Sequence, residues 1–452
     1  MRLYVLDGGG ALAALATLPH CGAVVSADDP DRVDRLLQRL AAELRARGAA
    51  LSAEGYGDLA EYRSARPSGP RPPFLLVFAD RYDALVTALE SIDGGRLIQQ
   101  LERLMRDGLA AGIRFVVTGD RRLLTGRLSE LAASKIVLRL ADRSDYLVAG
   151  LRGKVIPDDM PAGRGFMVPG EDAVQVAVLT GQAQGAAENR MLRELTAAAP
   201  APAQPPPRVD ALPASIAVER AIALPRGGGG ALVGVGGDTL AQVRVNAPGF
   251  LVAGPSGRGR STALTAAAFS LAADREPLIL LTPARSPLTA LAGQPAVRLH
   301  LATADAAAAA ALKAALDQPG PVNVIADDAD LLAGTPLGTE LADWYAKTAR
   351  TAGGGSRLLA AVRTDSISVP RGLVQELVKG KCGLVLDPSS PMDGAQLGAR
   401  LSPALIAGRR LRGVLISDGR VAVVQVPELP VPHAAAGPQG TREQRQKEEG
   451  NW

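Results

Sequence analysis

Gly254-Pro255-Ser256-Gly257-Arg258-Gly259-Arg260-Ser261-Thr262 is the stretch whose reading decides the fold. Ahead of it runs an apolar segment, Phe250-Leu251-Val252-Ala253, and behind it a helical pattern, Ala263 to Leu271. Strand, glycine-rich loop and helix form the context in which a chain cradles phosphate. Glycines let the backbone curl so that successive N–H groups point inward. The following helix adds the positive end of its dipole. Gly254-x4-Gly259, a basic residue and Ser261 match the Walker A pattern, except that Arg260 stands where the pattern has lysine. A glycine-rich turn with no ligand is the plainer reading, but it does not account for the flanking strand, helix and Ser261-Thr262.

Two carboxylates downstream complete the motif. Val322-Asn323-Val324-Ile325-Ala326 is an apolar run that ends at Asp327-Asp328. With a phosphate loop upstream, Asp327 is the expected Walker B carboxylate, holding Mg2+ together with the Ser261 hydroxyl. Asp328 stands where many such enzymes carry a glutamate that activates the attacking water, and aspartate is one methylene shorter. The plainer reading is a pair of solvated turn carboxylates. Arg363 and Thr364 follow the next apolar run, where they either sense a terminal phosphate or lie in a solvated loop.

Composition sets the bounds. The chain has 452 residues, enough for two or three domains. Hydrophobic residues make up 47% but aromatics only 3%, so the cores must be rich in Leu, Val and Ala. The net charge of +4 is small for this length and neither demands nor excludes nucleic acid. Cys21 and Cys382 lie far apart and form no CxxC pair, which fits a reducing compartment. Three histidines argue against a His-rich metal centre. No apolar run approaches the ~20 residues that cross a bilayer, and Leu3 to Leu6 reads as a core strand rather than a signal peptide.

The two halves repeat one plan. Leu278-Ile279-Leu280-Leu281 parallels Leu3 to Leu6, and Val322 to Leu332 parallels Leu76 to Leu85. Arg357 to Val362 parallels Arg114 to Thr118, and Gly408 to Ile416 parallels Gly163 to Val168. The first half starts directly at the strand that matches Leu278. It is therefore expected to be a partial domain, N-terminally truncated, with no phosphate loop. Its Asp80 is followed by Arg81, a cation in place of the catalytic acid. Arg164, on a Gly-rich turn, reads as a surface arginine at a hairpin, with a finger completing a neighbouring site as the alternative. The predicted organisation is a partial ATPase-like domain at 1–182, a Pro/Ala-rich linker at 183–212, a second such domain at 213–430 and a disordered tail at 431–452.

Gly236-Gly237-Asp238-Thr239-Leu240 through Thr262, with Ile325 to Leu332, resembles the FtsK/SpoIIIE family of RecA-like motor ATPases. Tyr4 to Gly10, Leu18-Pro19-His20, Arg32 to Leu36, Ala110 to Ile113 and Pro161 to Gly165 extend the resemblance through the first half. The His20 motif and the tandem arrangement look most like the multi-ATPase motors of type VII secretion. The resemblance implies an α/β fold of tandem RecA-like P-loop NTPase domains with mainly parallel sheets. It implies ATP held by residues 254–262, Mg2+ at Ser261 and Asp327, and Asp328 as the catalytic acid. It also implies homo-oligomers such as a hexameric ring, or assembly with other motor subunits, acting in the cytoplasm and reaching the membrane through a separate part. A secreted protein is the favoured polymer, duplex DNA the alternative. A nucleotide-binding pseudo-ATPase scaffold is a third reading, because Arg260, Asp328 and Arg81 all depart from the family pattern.

Overall fold

The computed structural model describes residues 1–429 except 69–70, 126, 153–155, 158, 183, 283–284, 350–354 and 369–371. The tail expected at 431–452 lies outside the described residues. The chain divides into two compact units. One comprises Met1–Pro213, Gly236–Leu240 and Asp387–Val424; the other comprises Ala214–Val235, Ala241–Leu386 and Gln425–Trp452.

The first unit holds a four-stranded parallel sheet built from β1 (Arg2–Asp7), β2 (Cys21–Ser26), β3 (Leu75–Asp80) and β4 (Ile113–Val117). Its order is β2-β1-β3-β4. Parallel strands need crossover connections, and the helices Pro30–Ala53 and Arg96–Asp107 supply two of them. The first helix turns Val33, Leu36, Leu37 and Leu40 into the core, the second Leu97, Leu101 and Leu104. The spacing of three and four residues puts each set on one face. A separate antiparallel sheet follows: β5 (Lys135–Leu138), β6 (Arg164–Val168) and β7 (Ala173–Gln175).

Residues 183–212, expected as a linker, contain a helix, Gly185–Ala198, with no buried residue. The extended stretch after it is tied down. Tyr4 Oη donates to Pro207 O at 3.0 Å, Arg32 Nε to Val209 O at 2.8 Å and Arg35 Nη2 to Asp210 O at 2.8 Å. Val209 is fully buried. Two stretches assigned by repetition to the second half also belong to this compact unit. Asp238 pairs with Arg39 at 2.8 Å, and Ser402 Oγ donates to Asp93 Oδ2 at 2.6 Å. Repetition marks common descent and compactness marks burial, so the two criteria cut the chain at different places.

The second unit contains β8 (Ala231–Gly236), β9 (Ala241–Val245), β10 (Gly249–Ala253), β11 (Leu278–Leu281), β12 (Val297–Leu301), β13 (Asn323–Ala326), β14 (Arg357–Val362) and β15 (Gly383–Leu386). Six of these run parallel in the order β12-β11-β13-β14-β10-β15. β10, β11, β13 and β15 are buried along their whole length, as expected of strands covered on both faces. In chain order, neighbouring strands β16 (Arg412–Ser417) and β17 (Arg420–Gln425) come last. The shared order β2-β1-β3-β4 and β12-β11-β13-β14 reproduces the repeat read from the sequence. Together these sheets make the chain an α/β protein with mainly parallel sheets.

Candidate functional site

In an open parallel sheet, ligands bind where the strands end at their carboxyl edge. β10 ends at Ala253 on that edge, and the loop Gly254–Gly259 leads into the helix Arg260–Ala273. Gly257 and Gly259 take φ of 75° and 99°, left-handed values that side chains resist. Pro255 to Arg258 are exposed, so the curl opens to solvent. The loop's root is firm: Gly254 N–H donates to Val362 O, at the end of β14, at 3.3 Å. The helix carries no acid in its first turn, which leaves its positive end uncompensated. Ala263, Leu264, Ala266, Ala267, Ala268 and Leu271 of this helix are buried, so small side chains let it pack close to the sheet. Ser261 and Thr262 are half-buried in its first turn.

The carboxylates arrive from β13, with β14 lying between it and β10. Asp327 is buried, with 4% exposure. It does not stand alone there: Ser286 Oγ donates to its Oδ2 at 2.6 Å, and Asp328 N–H donates to its Oδ1 at 3.1 Å. Asp328 takes the left-handed region, φ 43°, which swings its side chain out of the strand line. Its Oδ1 lies 2.9 Å from Arg260 Nη2. Desolvation and the neighbouring Asp327 push the Asp328 carboxyl up from its ordinary value, while Arg260 pulls it down and Asp330 adds to the rise. The guanidinium is 90% buried at its side chain, yet its Nη1 is buried with no hydrogen-bond partner. An orphaned buried donor on a cation, beside a glycine loop and a helix N-terminus, fits an anion.

Arg363 is exposed and pairs with Asp365, its Nε 3.1 Å from Oδ1. Thr364 differs: its Oγ1 is buried and has no partner. Asp330 likewise has one orphaned buried oxygen, Oδ1, while its Oδ2 accepts from Ser366 Oγ at 3.0 Å. The sequence reading missed Ser286, Asp330 and Ser366. Ser286 caps a short 3-10 helix that begins at Pro287, and a Ser-Pro pair signals such a start without pointing to Asp327.

The first unit repeats half of this geometry. Asp80 ends β3, and Arg81 after it takes φ 50°, the counterpart of Asp328 at φ 43°. Thr118 Oγ1 donates to Asp80 Oδ1 at 2.6 Å. Arg81 Nη2 lies 3.8 Å from Asp83 Oδ2. Among the described residues no strand equivalent to β10 lies beside β4, so no phosphate loop faces Asp80. Arg164 Nε donates to Gln175 Oε1 at 3.1 Å across the β6-β7 hairpin.

Comparison with known proteins agrees with this picture. Residues 1–151 match the FtsK/SpoIIIE family. The ESX-1 secretion system protein EccCb1 of Mycolicibacterium smegmatis is 31% identical over 169 residues, 36% of this chain and 28% of that protein. The ESX-4 secretion system protein EccC4 of Mycobacterium tuberculosis is 30% identical over 170 residues, 37% of this chain and 13% of that protein. The chain thus spans less than a third of the length of these relatives. Among solved structures, ATPases 2 and 3 of EssC from Geobacillus thermodenitrificans align over 95% of this chain and 85% of that one, with TM-score 0.65 and 18% identity. Thermomonospora curvata EccC (ATPases 2 and 3), solved in complex with a signal sequence peptide, aligns over 95% and 82%, with TM-score 0.59 and 22% identity. At such identities the likeness is one of fold, an α/β tandem whose counterparts in those proteins are their ATPases 2 and 3. The family match is thus confined to residues 1–151, and the chain is similar over about a third of its length to ATPases of type VII secretion systems.

Proposed function

We propose that the chain is an ATP-binding motor module of a type VII-like secretion machine, in which nucleotide binding and slow hydrolysis drive movement of a secreted protein. The observation that carries this reading is the Gly254–Thr262 cradle with the orphaned Nη1 of Arg260 beside it. Backbone N–H groups of the loop and the helix N-terminus bind phosphate oxygens. Arg260 adds a planar, permanently charged fork that pairs with phosphate. The Ser261 hydroxyl and the Asp327 carboxylate would hold Mg2+, which neutralises charge on the transferring phosphoryl group when bound. Ser286 keeps Asp327 oriented. Asp328, its carboxyl pushed up from its ordinary value by burial, orients the attacking water once Arg260 releases it.

No helix among the described residues is long and apolar enough to cross a membrane. The module works at the cytoplasmic face, in a ring of copies or with other motor subunits, and meets the membrane through those partners. The substrate in this reading is a secreted protein bearing a signal peptide, supported by the signal sequence peptide bound to Thermomonospora curvata EccC.

The Arg260–Asp328 pair favours a second reading. It occupies both the phosphate-reaching cation and the candidate base, as in a pseudo-ATPase that binds nucleotide and does not turn it over. Steady-state hydrolysis by the full chain, beside an Asp327→Ala control, separates the two. Turnover above the control supports the motor; turnover equal to it, with nucleotide still bound, supports the scaffold. Absence of nucleotide binding sinks both. Salt-dependent duplex binding that stimulates hydrolysis would transfer the proposal to a DNA translocase.

A further inference from the structure

The loops that leave β13 and β14 run side by side, because the two strands pair in parallel as far as Ala326 and Ala360. The first loop carries Asp327 and Asp328, then Asp330 in a 3-10 turn, Ala329–Leu332, rooted by buried Ala329. The second carries Thr364 and Ser366 in another such turn, Thr364–Ser368, rooted by buried Ile367. A side-chain bond joins the two turns: Ser366 Oγ donates to Asp330 Oδ2 at 3.0 Å.

The place of this bond ties it to the nucleotide site. β14 lies between β13 and β10, so its loop leaves the sheet between the acids and the phosphate loop. Thr364 follows two residues after Val362, whose carbonyl accepts from Gly254 N–H at the root of the phosphate loop. The Asp330 charge reaches Asp328, where it adds to the rise that desolvation begins and Asp327 extends. Thr364 Oγ1 and Asp330 Oδ1 are buried and have no hydrogen-bond partner among the described residues. Buried polar atoms left in this state are costly, and a ligand with its water completes them. A hydroxyl donates to a phosphate oxygen, whereas a carboxylate oxygen only accepts, as it does from water. The first unit, which shows no phosphate loop beside Asp80, is arranged differently. Asp83 stands three residues after Asp80, as Asp330 does after Asp327, and its Oδ2 lies 3.8 Å from Arg81 Nη2.

We propose that Asp330 is a positioning residue for the terminal phosphate of a bound nucleoside triphosphate. Through Ser366 it holds the turn after β14 so that the Thr364 hydroxyl meets that phosphate, and this contact tells triphosphate from diphosphate. The proposal rests on the nucleotide reading above and assigns a role to residues which that reading leaves unused.

The test is calorimetric titration of the full chain with a non-hydrolysable triphosphate analogue and with the diphosphate, which reads affinity rather than turnover. The parent is expected to prefer the triphosphate by roughly tenfold or more, the worth of a charge-assisted contact. Thr364→Val removes the hydroxyl, keeps the shape, and abolishes most of that preference while diphosphate affinity is unchanged. Ser366→Ala does the same at one remove, and Ser366→Thr, which restores a hydroxyl, recovers the preference. Asp330→Asn keeps an acceptor for Ser366 and retains more of the preference than Asp330→Ala. The double variant of Ser366→Ala and Thr364→Val loses no more than Thr364→Val alone, because both act through one hydroxyl. Equal affinity of the parent for both nucleotides overturns the proposal and leaves the nucleotide reading standing. So do variants that weaken both nucleotides alike, and additive losses in the double variant. Binding of neither nucleotide by the parent overturns the nucleotide reading and the proposal with it.

Discussion

Arg260 Nη2 lies 2.9 Å from Asp328 Oδ1, so the cation of the phosphate loop and the acid behind Asp327 hold each other. The pair sits in a largely buried setting where Arg260 keeps one donor unsatisfied. A phosphate group competing for the guanidinium would satisfy that donor and release the carboxylate. Binding and activation of the acid are then one event.

Arg260→Lys separates the two roles. Lysine is a compact point charge on a flexible stem and lacks the planar fork that holds a carboxylate in one fixed geometry. Expected is nucleotide affinity within about threefold of the parent and turnover raised roughly tenfold, since Asp328 is freed. Arg260→Ala instead weakens nucleotide binding by roughly tenfold or more through loss of a charge-assisted contact. Calorimetric titration with a non-hydrolysable analogue, and phosphate release, measure the two effects. Unchanged turnover in Arg260→Lys would show that the pair does not restrain the site.

The pH profile carries the same logic. Burial and Asp327 raise the Asp328 carboxyl, and Arg260 opposes them. A base with a raised value is protonated, and silent, to higher pH. The acidic limb of turnover is therefore expected at higher pH than an unburied aspartate would give, and Arg260→Met moves it higher still because the opposing cation is gone. Asp328→Asn removes the limb together with the activity. A limb left in place by Arg260→Met assigns it to another group.

Ser286 tests how far the Walker B carboxylate depends on support. Its Oγ donates to Asp327 Oδ2 at 2.6 Å in a buried setting. Ser286→Ala is expected to cost about 1 kcal/mol of Mg2+-dependent nucleotide affinity, roughly fivefold, and to leave Mg2+-free binding unchanged. Titrations with and without a chelator read the difference. Asp327→Ala removes the Mg2+ dependence altogether.

Stability of the second unit has a separate anchor. Arg244, with 1% side-chain exposure, donates to Asp274 Oδ2, Gly230 O and Gln242 Oε1, each at 2.7 Å. Asp274→Ala leaves this guanidinium buried without its counter-ion and is expected to cost about 3 kcal/mol. Denaturant unfolding measures it; a loss below ~1 kcal/mol would mean that water or another acid replaces the partner.

Cys21 links stability to alkaline pH. Burial pushes its thiol up from 9.0 to about 11. Above 9.0 the unfolded chain ionises first and the folded chain keeps its proton, so stability falls as pH rises toward about 11. Tyr82, raised by burial and by its hydrogen bond to Glu102, acts with the same sign at higher pH. In Cys21→Ala the decline over this window is shallower. Melting temperatures across the window check this.

The sequence by itself determined the parts whose signals are local. Gly254 to Thr262 reads as a phosphate loop because glycine spacing and a following helix are properties of neighbouring residues. The apolar runs at β3 and β13, each ending in an aspartate, read as buried strands for the same reason. Side-by-side repetition then carried the strand plan. Tertiary structure alone decided what depends on residues distant in the chain. The Arg260–Asp328 pair and the Ser286–Asp327 hydrogen bond arise because β13, β14 and β10 end at one edge of a sheet.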